Sequence, residues 1–135
     1  MKNTIRIVAI MLISLINFSA LAADKCTGES ITSISNTIAK GHAYNKHVIK
    51  GGQYKKGKVI AGLAMPSLPK VNSISTFGNL IKVVMSTSSD KKLLRGRKAY
   101  WNVSTGTIVI YDPSSKDCGT AFRPTKGKEY YNSVK

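Results

Sequence analysis

The stretch Arg97-Lys98-Ala99-Tyr100-Trp101-Asn102-Val103-Ser104-Thr105-Gly106-Thr107-Ile108-Val109-Ile110-Tyr111 decides the fold. Residues 97–103 alternate and are rich in aromatic side chains, the pattern of a strand. Ser104-Thr105-Gly106 supplies turn chemistry. Residues 107–111 are β-branched and apolar, which predicts the central strand of a sheet. The two strands and their turn make a hairpin. Downstream, residues 112–119 read as a loop and residues 120–123 as a third short strand. Tyr130 and Tyr131 suit a fourth strand or a short terminal turn.

Upstream the period changes. Between residues 30 and 50 the apolar Ile31, Ile34, Ile38 and Ala39 recur at helical spacing, with capping side chains at residues 27–30 and a break at Gly41. Residues 73–86 repeat the pattern with Ile74, Phe77, Leu80, Ile81, Val84 and Met85, a core-facing stripe. The glycine- and proline-rich residues 51–70 read as loop, with Val59-Ile60-Ala61 as a short extended piece. Helix, helix, then strands predicts an α+β domain: N-terminal helices packed on one face of a small antiparallel sheet of about four strands.

Residues 1–23 are expected to be a signal peptide. Lys2 and Arg6 make a positive start, residues 7–16 are almost continuously apolar, and Ala20-Leu21-Ala22 is a small-x-small cleavage signal. Cleavage after Ala22 or Ala23 would leave a single exported domain, residues 24–135, periplasmic or secreted, with no further stretch of membrane-spanning length.

The chain carries 21 Lys and Arg against 6 Asp and Glu, a formal charge of +15, of which Lys2 and Arg6 account for two. Such an excess attracts polyanions: nucleic acid, anionic lipid or acidic polysaccharide. The lysines at 50, 55, 56, 58, 91, 92 and 98 read as an electrostatic footprint. Cys26 and Cys118 make an even count, which in an oxidising compartment predicts a disulfide. Closing so long a loop would contribute on the order of 4 kcal/mol in the chain-entropy model. Two distant cysteines and two histidines five residues apart match no common ligand spacing, so neither a metal nor another cofactor is expected.

Three segments carry the chemistry: Gly41-His42-Ala43-Tyr44-Asn45-Lys46-His47, Gly96-Arg97-Lys98-Ala99-Tyr100-Trp101 and Gly119-Thr120-Ala121-Phe122-Arg123-Pro124. RNA can be cleaved by its own 2′-hydroxyl. An imidazole suits the proton transfers. A guanidinium stays charged and grips phosphate oxygens. A hydroxyl adds a neutral donor. His47, after Lys46, is the first choice for acid/base catalysis, and His42 is the competing candidate. On one regular helix their directions would differ by about 140°, so at most one is expected at the chemical centre. Arg97 is the expected phosphate clamp. Thr107 and Thr120, each after a glycine, are the candidate hydroxyls. Lys46, Tyr100, Arg123 and Tyr130 are expected to bind substrate, the tyrosines by stacking on bases.

This set resembles the C-terminal ribonuclease domains of bacterial contact-dependent inhibition and other polymorphic toxins, the barnase, EndoU, colicin and RelE-like group. The likeness rests on Gly41-His42-Ala43 with Lys46-His47-Val48, Gly96-Arg97 followed by Tyr100, Gly106-Thr107 with Val109-Ile110, Asp112-Pro113, and Gly119-Thr120 with Phe122. It covers residues 38–131. The resemblance implies helices on a four-stranded antiparallel sheet and metal-independent cleavage of RNA or tRNA to a 2′,3′-cyclic phosphate. His47, Arg97 and a sheet threonine would inherit the active-site roles, and an acidic cognate immunity protein is the expected partner. Those toxin domains usually end a very large secreted protein, whereas this one is expected to follow a signal peptide directly.

The expected function is therefore that of a secreted, metal-independent endoribonuclease acting as an antibacterial toxin. The alternative is a non-catalytic cationic protein that binds nucleic acid or anionic envelope polymers, with scattered histidines and salt-sensitive affinity. A protein-binding module, such as an enzyme inhibitor, ranks last because no residue pattern supports it.

Overall fold

The computed structural model describes residues 25–135, so the expected signal peptide lies outside the described residues. Helix α1 (Ile31–Ile38) starts at Ser30, whose hydroxyl accepts from the Ser33 backbone N–H at 3.1 Å. It buries Ile34 and Ile38 and runs directly into a wider, π-wound segment, Ala39–Lys50. The wide winding ends in an i→i+5 bond from Gly51 N–H to the Lys46 carbonyl (3.0 Å). Within it, Gly41 leaves helical geometry (φ −73°, ψ −154°) and kinks the chain. A small antiparallel hairpin, β1 (Val59–Ile60) with β2 (Leu63–Ala64), decorates the long loop that follows.

Helix α2 (Ile74–Thr87) opens with a reciprocal capping box between Ser73 and Thr76. Its buried face is Phe77, Gly78, Leu80, Ile81, Val84 and Met85. Gly78 lets α1 approach, because a Cβ there would already stand 3.1 Å from Asn36 Oδ1 and 3.5 Å from Ala39 Cβ. The predicted stripe is thus core, apart from Ile74, which is exposed at the helix start.

The sheet is four-stranded and antiparallel, in the order β3 (Lys91–Lys92), β4 (Lys98–Asn102), β5 (Thr107–Tyr111), β6 (Gly119–Phe122). β4 and β5 form the predicted hairpin, and β5 is interior, with Thr107 to Ile110 all buried. The α+β architecture stands as expected, with two differences in detail. The fourth strand is Lys91–Lys92, too short and too polar to show a hydrophobic period. Residues 130 and 131 belong instead to a short helix, α3 (Lys128–Ser133).

Alternation gives the sheet two faces. Tyr100, Val109 and Ala121 join the α1/α2 core. Ala99, Ile108 and Ile110 face the other way, covered by Leu93, Trp101, Phe122, Tyr130, Tyr131 and Val134. Lys91, expected in the charged footprint, has a different task. Its ammonium donates to the carbonyls of Tyr131, Asn132 and Val134 at 2.8–2.9 Å, capping the end of α3. The predicted disulfide Cys26–Cys118 is formed and fully buried, and it ties the segment before α1 to the loop that enters β6.

Candidate active site

β6 and the π-wound segment lie side by side, and three positions on β6 and the loop that enters it organise the site. At the entry, Gly41 presses on Asp117. The His42 ring places Nδ1 2.8 Å from Asp117 Oδ2, and the His42 backbone N–H donates to the same oxygen at 3.3 Å. The His42 side chain is 50% exposed, that of Asp117 17%. The bond from His42 is the main reason the Asp117 carboxyl is held below its usual pKa.

At the far end of the strand, the His47 ring stacks on Phe122, with centroids 5.1 Å apart and planes 23° apart. Phe122 meets Tyr130 of α3 edge-on at 5.5 Å. Burial, then the charges of Lys46 and His42, push the His47 pKa down to about 4. His47 is therefore a neutral imidazole at physiological pH.

Between these two anchors lies Thr120. It shares the face of Phe122, since Thr120 pairs with Ile110 and Phe122 with Ile108. Its hydroxyl is buried and finds no hydrogen-bond partner among the described residues. Leaving such a group unsatisfied costs about 1–3 kcal/mol, and a native structure rarely keeps one without a reason.

The wide winding and the Gly41 kink bring His47 to β6 and His42 to the loop that enters it, where a regular helix would turn them apart. Arg97 precedes β4 at the same end of the sheet, but its side chain is engaged elsewhere. The row Lys98–Tyr111–Gly119 is in register, so Arg97 and the loop entering β6 flank it two strand spacings apart, roughly 10 Å. Arg97 Nε donates to the Leu94 carbonyl (3.2 Å) and Nη2 to that of Lys135 (2.5 Å), which fixes the fork. It lines a separate cavity of about 460 Å³ with Leu94, Arg95, Asp112 and Ser114, which includes neither histidine nor Thr120.

Three expected site residues are elsewhere. Arg123 is only 1% exposed. Its guanidinium donates to the carbonyls of Thr105 (2.6 Å), Gln53 (2.7 Å), Lys58 (2.9 Å) and Leu63 (2.8 Å), so it is a structural post rather than a substrate ligand. Burial lowers its pKa from the usual arginine range. Thr107 is fully buried on the helix side of the sheet, 2.8 Å from the Thr105 hydroxyl and 3.3 Å from that of Tyr54. Tyr100 is a core residue on that same side, its hydroxyl pKa raised first by burial and then by Asp90. Lys46 is exposed next to His47, and Tyr130 lies against Phe122.

Asp117 and Phe122 were not singled out from the sequence as site residues. Asp117 sits in a loop, and nothing local ties it to a histidine 75 residues away. Phe122 stood in the Gly119–Pro124 segment and among the residues of the resemblance, but with no role of its own. Among the described residues, no three His, Cys, Asp or Glu side chains are grouped to hold a metal ion, and no helix is long and apolar enough to cross a membrane. No family model matches this chain, and neither a curated protein nor a solved structure is significantly similar to it.

Proposed function

We propose that this protein is an endoribonuclease that cleaves RNA through the 2′-hydroxyl, with His47 as general base, Thr120 as a donor to the phosphate and Arg97 as an electrostatic clamp. The observation that carries the reading is the order along β6 and the loop that enters it: a histidine at each end and an unpartnered buried hydroxyl between them. A neutral imidazole can accept the 2′-hydroxyl proton without first losing its own. The Thr120 hydroxyl can donate to a phosphate oxygen as charge builds in the transition state. The formal charge of +15 draws the polyanion in. Lys46 and Tyr130 border the His47 end, suited to a flanking phosphate and a stacked base.

The resemblance to polymorphic-toxin ribonucleases supports an antibacterial role for an exported protein, with tRNA among the substrates and an acidic immunity protein as partner. No cofactor enters the proposed steps. The test is cleavage of total tRNA and a labelled RNA oligomer by the domain from Asp24, disulfide formed, with EDTA present and His47→Ala alongside. Cleavage to cyclic phosphate ends that disappears in the variant supports the reading. Intact RNA with tight, salt-sensitive binding in both proteins would replace it with the cationic binding protein.

A further inference from the structure

The ribonuclease reading requires a second proton transfer, to the 5′-oxygen that leaves. We propose that His42 supplies this proton and that Asp117 is the positioning residue that aims it. The inference rests on the ribonuclease reading and adds the identity of the acid and of the group that orients it.

The geometry is specific. Asp117 Oδ2 accepts from both the His42 backbone N–H (3.3 Å) and ring Nδ1 (2.8 Å). A carboxylate facing Nδ1 keeps a hydrogen on that nitrogen and fixes the direction of the ring. Nε2 is then the nitrogen turned away from the carboxylate, on a ring half exposed to solvent. Asp117 is itself fixed on two sides. Gly41 packs against it so closely that any Cβ would stand 2.6 Å from its Cγ. The next residue, Cys118, is held by the disulfide and by a bond from its N–H to the Ser115 carbonyl (3.0 Å). An exposed ion pair needs no such buttress; a proton donor that must keep its direction does.

The other titratable groups near the pair are Lys116, beside Asp117, and the neutral His47, farther along the histidine's own segment. The step balances. His47 takes the 2′-hydroxyl proton, the 2′-oxygen bonds to phosphorus, the bond from phosphorus to the 5′-oxygen breaks, and the Nε2 proton of His42 goes to that oxygen. The products are a 2′,3′-cyclic phosphate and a 5′-hydroxyl, with His47 left protonated and His42 neutral until they exchange with solvent.

The experiment compares two substrates, a ribodinucleotide and uridine 3′-(para-nitrophenyl phosphate), whose leaving group departs without a proton. Asp117→Asn and His42→Ala should each slow dinucleotide cleavage by about 100-fold while leaving nitrophenolate release within about threefold of the wild type. His47→Ala should slow both. If either His42→Ala or Asp117→Asn slows the two substrates equally in a folded protein, as judged by near-UV circular dichroism, the acid assignment is overturned. A wild type that cleaves neither substrate overturns the ribonuclease reading itself.

Discussion

The Asp117 side chain lies so close against the Gly41 backbone that it fills the space of a Cβ there: a Cβ on Gly41 would lie 2.6 Å from Asp117 Cγ and 2.9 Å from its Oδ2. The glycine serves here by having no Cβ rather than by a positive φ, since its φ is −73°. Gly41→Ala is therefore expected to force the strand-entry loop outward and break the His42–Asp117 bond. A destabilisation of about 1–3 kcal/mol is the usual cost of such overpacking. Urea denaturation measures it, and loss of RNA cleavage at least tenfold beyond the unfolded fraction shows the effect on the site.

Thr120 separates stability from activity. Its hydroxyl is buried without a partner, so Thr120→Val removes an unsatisfied group at nearly constant volume. The variant should be as stable as the wild type or up to about 2 kcal/mol more stable, yet cleave RNA at least tenfold more slowly. A thermal melt and a cleavage assay on the same sample decide it. Equal activity would remove Thr120 from the chemistry.

Arg123 should behave in the opposite way. Four backbone carbonyls, three between residues 53 and 63 and one in the β4–β5 turn, converge on its guanidinium. Arg123→Met leaves all four without that donor, with a cost of at least about 3 kcal/mol. The denaturation midpoint should fall sharply, and activity should fall only as the folded fraction does. Activity lost from a fully folded variant would return Arg123 to the list of substrate ligands.

The two perturbed groups at the site set the acid response. The folded pKa of His47 is about 4 against 6.5 for the free group, so the unfolded chain binds the extra proton. The stability this group contributes is present above pH 6.5 and is lost as pH falls from 6.5 towards 4. Asp117, held below its usual value, adds a second loss at still lower pH. Denaturation midpoints should decline through that upper window in the wild type and decline less in His47→Phe, which keeps the aromatic stack but cannot titrate. The acidic limb of kcat/KM should likewise lie well below 6.5, because the proposed base remains neutral there.

The disulfide offers a separate handle. Replacing both Cys26 and Cys118 by Ala opens a loop of 92 residues and should cost on the order of 4 kcal/mol in the chain-entropy model. Asp117 adjoins Cys118, so the His42–Asp117 bond should loosen as well. Its ring nitrogens, followed by NMR, should show mixed tautomers in the variant and one tautomer in the wild type.

Much of the fold was legible from local pattern. The stripe from Phe77 to Met85 and the runs of residues 97–103 and 107–111 are periods that a single element imposes on its own sequence. The same alternation also carried information about the site that residue chemistry alone obscured. Arg123 is three residues from Thr120 on one strand, hence on the opposite face, with Ala121. Thr107 aligns with Tyr100 and Val109 on the helix side, away from Thr120. Charge suggested that Arg123 met substrate, whereas face parity places it in the interior.

By itself, the sequence determined the α+β order, the central strand, the core stripes, the cysteine pair and the chemical types available: two histidines, an arginine and sheet threonines in a polycationic chain. Those features depend on neighbours within one element or on composition. Only the tertiary structure decided which of them meet. The bond between His42 and Asp117 spans 75 residues, and the stack of His47 on Phe122 exists because a π-wound segment lies along β6. Winding, kink and strand register are set by packing between elements, where a one-residue shift turns a side chain to the other face. No local pattern encodes that arrangement.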